Sequence, residues 1–383
     1  MKKPRAKGDI MRAPLDPPEV LLLGPGPSNP HPAVRAAMAA PLVSHLDPYF
    51  LTVMEETMTD LRSLFRTANH HTVPISSTGT GGLETIMFNL VEPGDQVIVG
   101  IIGHFGQRLA ELAHAAGAVV RPVEVPWGRV IEPEQIAREF ENGPAKLVAM
   151  VHAETSTGAA QPLAEIGRVV RDNDSLLMVD AVTSLGGMDL DVDGWLIDAA
   201  GSCSQKCIGA PPGSGPITVG PRAIDALHHR STPVASWYFD LQRLFQYWGD
   251  EDNTRARVFH HTAPIANIYG VREALRIIHT EGMEARFSRH QEAHDLFVAE
   301  LDKIGLSLFT APDHRLPMLN VVNIPDGVED AAVRSAMLER GIEISGAFGP
   351  LAGKAWRIGL MGVNATAPVV DRLVTNLGEV LGR

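Results

Sequence analysis

LLMVDAV (Leu176–Val182) and WLIDAAGSCSQK (Trp195–Lys206) decide the architecture of this chain. The first is an apolar run that closes on an acid, Asp180; the second is another apolar run that closes on a base, Lys206, 26 residues later. That interval fits one strand-to-strand crossover, so both charged residues should emerge at the same sheet edge. A strand that is apolar along its whole length is buried on both faces, as strands of parallel sheets are.

The same alternation extends from Thr72 to Gly220. TVPISS, QVIVGI, VVRPVEV, KLVAMVHA and GPITVG read as strands, while GGLETIMFNLV, FGQRLAELAHAAG, EPEQIAREFE and LAEIGRVVRDN carry helical spacing. This predicts an α/β fold, with a large domain built on a mostly parallel central sheet and ligands at the carboxyl ends of its strands. After His261 comes one long helical run, then VVNIPDG, EDAAVRSAMLERG, IEISGAF, AWRIGLMG and VVDRLVTNLGEVL, the pattern of a smaller C-terminal α+β domain. The expected division is a flexible basic tail over 1–15, with Met11 as an alternative start, a large domain over 16–265 including the N-terminal segment, and a small domain over 266–383.

A chain of 383 residues with 45% hydrophobic content can bury one large core and a second, smaller one. Its formal charge of -12, without a Lys/Arg stripe, argues against a nucleic-acid surface but leaves room for small anions in a local pocket. No secretory h-region or 18-residue apolar span is present, so no membrane association is expected. Both cysteines, Cys203 and Cys207, flank Lys206, too few to staple such a chain, which points to a reducing, cytoplasmic location. They lack the further ligands a zinc site needs, and no metal is expected.

Three stretches carry chemistry. In ISSTGTGGLET a strand gives way to hydroxyls and glycines and then to a helix, so Thr78, Gly79 and Thr80 could hold a phosphate at a positive helix end; an ordinary capped helix is the alternative. Asp180 stands at the end of a very apolar strand, where a carboxylate needs a cation, such as a protonated ring nitrogen, or a neighbouring turn to pair with. Lys206, among SCSQ and CIGAPPG, is partly desolvated, which lowers its pKa and suits an imine-forming amine. A phosphate cradle, an acid for a ring nitrogen and a reactive lysine together imply pyridoxal 5'-phosphate. Phe105 could stack on the ring or be core, Thr155 could meet the ring hydroxyl, and Arg357 could grip a substrate carboxylate or form a structural ion pair.

At this point the chain resembles the class V, fold type I pyridoxal phosphate aminotransferases, in particular the alanine-glyoxylate and serine-pyruvate group. LLLGPGPSNP, GTGGLET, HAETSTG, VDAVTSLGG, GSCSQKCIGAPPG, FHHTAP and WRIGLMGVNAT carry the likeness over nearly the whole chain. The resemblance implies Lys206 as the cofactor-linked lysine, Asp180 under the pyridine nitrogen, and Thr78, Gly79, Thr80 and Gln205 at the phosphate, although a histidine often stands where Thr80 is. It implies Phe105 in place of a stacking tryptophan, Thr155 at the ring hydroxyl, Arg357 at the carboxylate and Gly26 shaping the substrate pocket. It further implies a homodimer whose partner subunit completes each site, with Thr262 retained and Phe259 where a tyrosine is usual, so that cofactor retention should be weaker. The expected reaction is amino transfer from alanine or serine to glyoxylate.

LVSHLDPYF, IDAAGSCSQKC and IEISGAFGPLAGKAWRIG also look like the ureidoglycine-glyoxylate aminotransferases. That branch reads its ureido group with a glutamine and an asparagine where this chain has His45 and Phe259. An apolar ring leaves a ureido group without partners, which makes this the second expectation. Cysteine desulfurases share the fold but need a cysteine on a distant loop, which this sequence lacks.

Overall fold

The computed structural model describes residues 14–249 and 257–383; the expected tail and Met11 lie outside the described residues, except for Pro14 and Leu15, which are exposed. Seven strands form the central sheet: β1 (His71–Ile75), β2 (Gln96–Ile101), β3 (Val119–Glu124), β4 (Leu147–Val151), β5 (Leu176–Asp180), β6 (Ala199–Gly201) and β7 (Gly215–Val219). Their order is β1-β7-β6-β5-β4-β2-β3. Four neighbouring pairs are parallel, and β7 alone runs against both its neighbours, β1 and β6.

The uninterrupted apolar strands have the cause expected of them. Along β2 and β4, Val97, Val99, Leu147 and Ala149 enter one core, while Ile98, Val148 and Met150 enter another on the opposite face. Both faces are therefore covered, and helices start where strands end: α1 (Gly79–Leu90) after β1 and α2 (His104–Ala115) after β2. This gathers helix N-termini and strand carboxyl ends along one edge. Asp180 pairs in register with Gly201, so the ends of β5 and β6 lie side by side, five residues before Lys206.

The long run after His261 is two helices, α3 (Ile265–Glu281) and α4 (Met283–Lys303), separated by Gly282 at φ +86°. Ile268 and Tyr269 of α3 belong to one large-sheet core and Val271, Ala274, Leu275 and Ile278 to the other. We therefore place the division between the bodies near Gly282 rather than at residue 266. Beyond it, β8 (Leu319–Asn323), β9 (Ser345–Gly346) and β10 (Ala355–Gly359) form an antiparallel sheet in the order β8-β10-β9. It packs with α4, α5 (Asp330–Glu339) and α6 (Ala367–Leu381) around Phe297, Trp356, Ile358, Leu373 and Leu377.

The N-terminal segment also differs from expectation. Leu21–Leu22 pairs in parallel with Ile342–Glu343, and Leu23 is buried in the small-body core. Those three residues are apolar because they complete that core, although they precede the large domain in sequence. Among the described residues no helix is long and apolar enough to cross a membrane.

Candidate active site

Lys206 sits in a turn held from both sides. Ser28 N donates to Gln205 O at 2.8 Å, Ser28 Oγ to Lys206 O at 2.8 Å, and Lys206 Nζ to the carbonyl of Pro25. Burial lowers the pKa of this amine; the fields of Cys203, Cys207 and Asp180 act in the opposite direction, and that of Arg357 acts with burial. The two thiols are themselves buried and free, pushed up to about 11 for Cys203 and about 12 for Cys207 by desolvation, so neither is a ready nucleophile.

Asp180, 6% exposed, is pushed up to about 7 by burial, with a bond from Val182 N (2.8 Å) to Oδ1 pulling down, Glu154 raising it and Lys206 and Arg108 lowering it. Its Oδ2 has no protein donor among the described residues. A desolvated carboxylate with an oxygen to spare suits a cationic N–H.

The expected strand-to-helix turn is present. Thr78 is the extended N-cap residue of α1 and makes no side-chain cap bond; it and Thr80 are exposed, and the amides of the first turn have no intrahelical acceptors. A Cβ at Gly79 would lie 2.8 Å from Cys203 Cβ, which shows how closely the cradle rests on the segment leading to Lys206. Gln205 Oε1 is buried without a partner among the described residues. Free amides, two hydroxyls and an orphaned side chain beside a desolvated lysine fit the phosphate and ring of pyridoxal phosphate.

Thr155 is buried, and Phe105 is half-buried with the Arg108 guanidinium 4.9 Å from its ring centre. Arg357, mid-strand in β10, is buried and lowered to about 10 by desolvation, with Glu343 and Glu154 opposing. Its Nε donates to Gly346 O at 2.9 Å and its guanidinium lies 3.7 Å from the Phe348 ring centre. Among the described residues no carboxylate comes within ion-pair distance of it, so the structural ion pair left open by the sequence does not form. Arginine held this way presents its terminal nitrogens to a ligand.

His45 and Phe259 are in ring contact, and Thr262 follows three residues after Phe259. Phe259 is 58% exposed and its ring lies 5.4 Å from that of His45; Thr262 is also exposed. No hydrogen bond links any of the three to Lys206 or Asp180.

Sequence reading missed Glu154. It is fully buried after β4, and its carboxylate accepts from Phe105 N (2.9 Å), Gly106 N (3.2 Å), Ser156 N (3.0 Å) and Ser156 Oγ (2.6 Å). The signal was present: an acid just past the end of an apolar strand, the same feature that singled out Asp180.

Residues 34–368 match the family model described as "Aminotransferase class-V". Over 381 residues the chain is 39% identical to the (S)-ureidoglycine–glyoxylate transaminase of Bacillus subtilis, covering 94% of this chain and 90% of that one. It is 37% identical to the alanine–glyoxylate aminotransferase of Drosophila melanogaster, with 97% and 95% covered. The crystal structure of the alanine–glyoxylate aminotransferase from Nostoc sp. superposes with a TM-score of 0.94 at 47% identity, over 97% of this chain and 98% of that one. With that breadth of match and a site that fits the cofactor, the chain belongs to the class V aminotransferases of fold type I, in the alanine-glyoxylate and ureidoglycine-glyoxylate group, and is a pyridoxal phosphate-dependent transaminase.

Proposed function

We propose that this enzyme moves the amino group of a small L-amino acid, alanine or serine, to glyoxylate, giving glycine and the corresponding 2-oxo acid, with Lys206 as the cofactor-linked lysine. The observation that carries the reading is Arg357, a buried cation without a carboxylate partner among the described residues, whose field reaches Lys206. A donor and an acceptor that share only a carboxylate and a reacting carbon need this pairing and little else.

Bound pyridoxal phosphate supplies an electron-poor ring that accepts the electron pair left when a substrate Cα–H bond breaks. The remaining work falls to the chain. Asp180 holds the ring nitrogen's proton, and its burial keeps water from competing for that bond. With the cofactor bound, Lys206 Nζ, its pKa lowered by desolvation, would serve as the base that removes the proton from the donor Cα. Arg357 grips the carboxylate bidentately, turning the Cα–H bond toward Lys206. Thr78, Gly79, Thr80 and Gln205 would hold the phosphate, Phe105 would cover the ring and Thr155 would meet its hydroxyl.

Gly26 and His45 are assigned to the substrate side. The exposure of Phe259 and Thr262 supports their reaching the site of a partner subunit in a homodimer, and a cytoplasmic location remains part of the reading.

Ureidoglycine is the second donor to consider, since one relative bears that activity in its name. His45 Nε2 is buried without a partner among the described residues and offers one polar contact, but the neighbouring Phe259 offers none. A donor-by-acceptor screen of the cofactor-loaded enzyme tests both readings, with alanine, serine and freshly made ureidoglycine against glyoxylate and pyruvate. Fast glycine formation from alanine or serine is expected; turnover confined to ureidoglycine would overturn the proposal.

A further inference from the structure

The Glu154 carboxylate is saturated. Oε2 takes the Phe105 and Gly106 amides and Oε1 takes the Ser156 amide and hydroxyl, while Ser156 Oγ also accepts from His104 N at 2.9 Å. The start of α2 is thereby fastened to the turn after β4, and a Cβ at Gly103 would fall 2.6 Å from Glu154 Cγ. Phe105 lies on one side of this clamp and Thr155 on the other.

Burial raises the pKa of the Glu154 carboxyl, and the four donors around it act in the opposite direction by favouring its ionised form, because a protonated acid would have to donate to one of them. They also occupy every oxygen lone pair, so Glu154 makes no ion pair with Arg357 although its field reaches both Arg357 and Asp180. Glu343 is held comparably, accepting from Gly24 N (2.9 Å) and Ser345 Oγ (2.9 Å). Arg357 is thus balanced by two acids, neither of which captures it.

We propose that Glu154 is a positioning residue for the transamination: it sets Phe105 against the cofactor ring, and its charge balances Arg357 while leaving that side chain open to substrate. The proposal rests on the assignment of Lys206 and Arg357 above. The charged groups within its field are Asp180 on β5 and Arg357 on β10; Lys206 and Arg108 act in turn on Asp180, and His104 and His152 are the titratable residues of the two fastened turns.

The test compares holoenzymes of the wild type, Glu154→Gln, Glu154→Asp and Ser156→Ala. Four quantities are read: melting temperature, pyridoxal phosphate affinity by titration of apoenzyme, the pH midpoint of the bound cofactor's absorbance change, and donor KM separately from kcat. Glu154→Gln is expected to lower the midpoint by about half a pH unit or more, because a neighbouring anion favours the protonated chromophore. It should also weaken cofactor binding roughly 10-fold and raise donor KM, since a Gln amide turns a donor toward donors. Glu154→Asp keeps the charge, so the midpoint should hold while cofactor affinity falls through lost reach to Phe105. Ser156→Ala removes one donor to Glu154 and the acceptor for His104 N while keeping the Glu154 charge, so it should weaken cofactor affinity in the same direction as Glu154→Asp by a smaller factor.

A Glu154→Gln enzyme that melts earlier with midpoint, affinity and KM unmoved would reduce Glu154 to a structural anchor and overturn the proposal. Should that variant not fold, unchanged cofactor affinity in Glu154→Asp overturns it equally. A wild type without an imine absorbance band would instead remove the Lys206 assignment, and the proposal with it.

Discussion

Gly26 lies directly against the Lys206 side chain: a Cβ at position 26 would stand 2.5 Å from Lys206 Cδ and 2.8 Å from Cε. Gly26 also holds φ at +112°, outside the range that L side chains favour. Gly26→Ala should therefore destabilise by on the order of 1–3 kcal/mol and displace the amine. The check is a lowered melting temperature together with loss of the cofactor's imine absorbance; an unchanged spectrum would mean that Lys206 has room the packing denies it.

Lys206→Ala should abolish borohydride fixation of the cofactor and lower kcat by at least about 10²-fold, the contribution of a positioned general acid-base group. Intact-mass analysis after reduction reads the first effect directly.

Asp180 makes stability depend on pH. Its folded pKa, near 7, lies above the ordinary 3.8, so the folded apoprotein binds this proton more tightly than the unfolded chain. Stability from this group is full below the ordinary value and is lost as pH rises toward 7, by up to about 4 kcal/mol. Asp180→Asn should thus stabilise the apoprotein at pH about 8 and scarcely at pH about 4. It should also slow transamination at both, because an amide cannot hold the ring nitrogen's proton. Paired melting curves and rates separate these effects.

Arg357→Lys should raise KM for both donor and acceptor by about 10-fold or more, since an ammonium cannot grip a carboxylate bidentately and would sit less well over Phe348. Equal losses in kcat alone would point away from carboxylate binding.

A paired change, His45→Gln with Phe259→Asn, replaces a ring contact by two amides. Ureidoglycine turnover should rise while alanine turnover is retained within a few-fold; no gain would place the ureido discriminant elsewhere.

The large sheet was legible because its strands are apolar on both faces, and the sites at their carboxyl ends followed from Asp180 and Lys206. Glu154 was legible only as an acid past the end of an apolar strand; its role was not, since that lies in four hydrogen bonds, three of them from backbone amides that no side-chain pattern reports. The placement of α3 was hidden for a different reason: an amphipathic helix shows that it packs, not against which body. Gly282 was readable as a helix break but lay inside an otherwise continuous pattern. Leu21–Leu23 looked like part of the segment it precedes, and only pairing with Ile342–Glu343 reveals where it belongs.

That pairing bears on how the protein can be dissected. A fragment beginning at Met283 would carry all three small-sheet strands and their helices, yet would leave Ile342–Glu343 without its parallel neighbour and a gap where Leu23 packs. Such a fragment should aggregate through the bare edge, and adding a synthetic peptide spanning residues 18–26 should render it soluble.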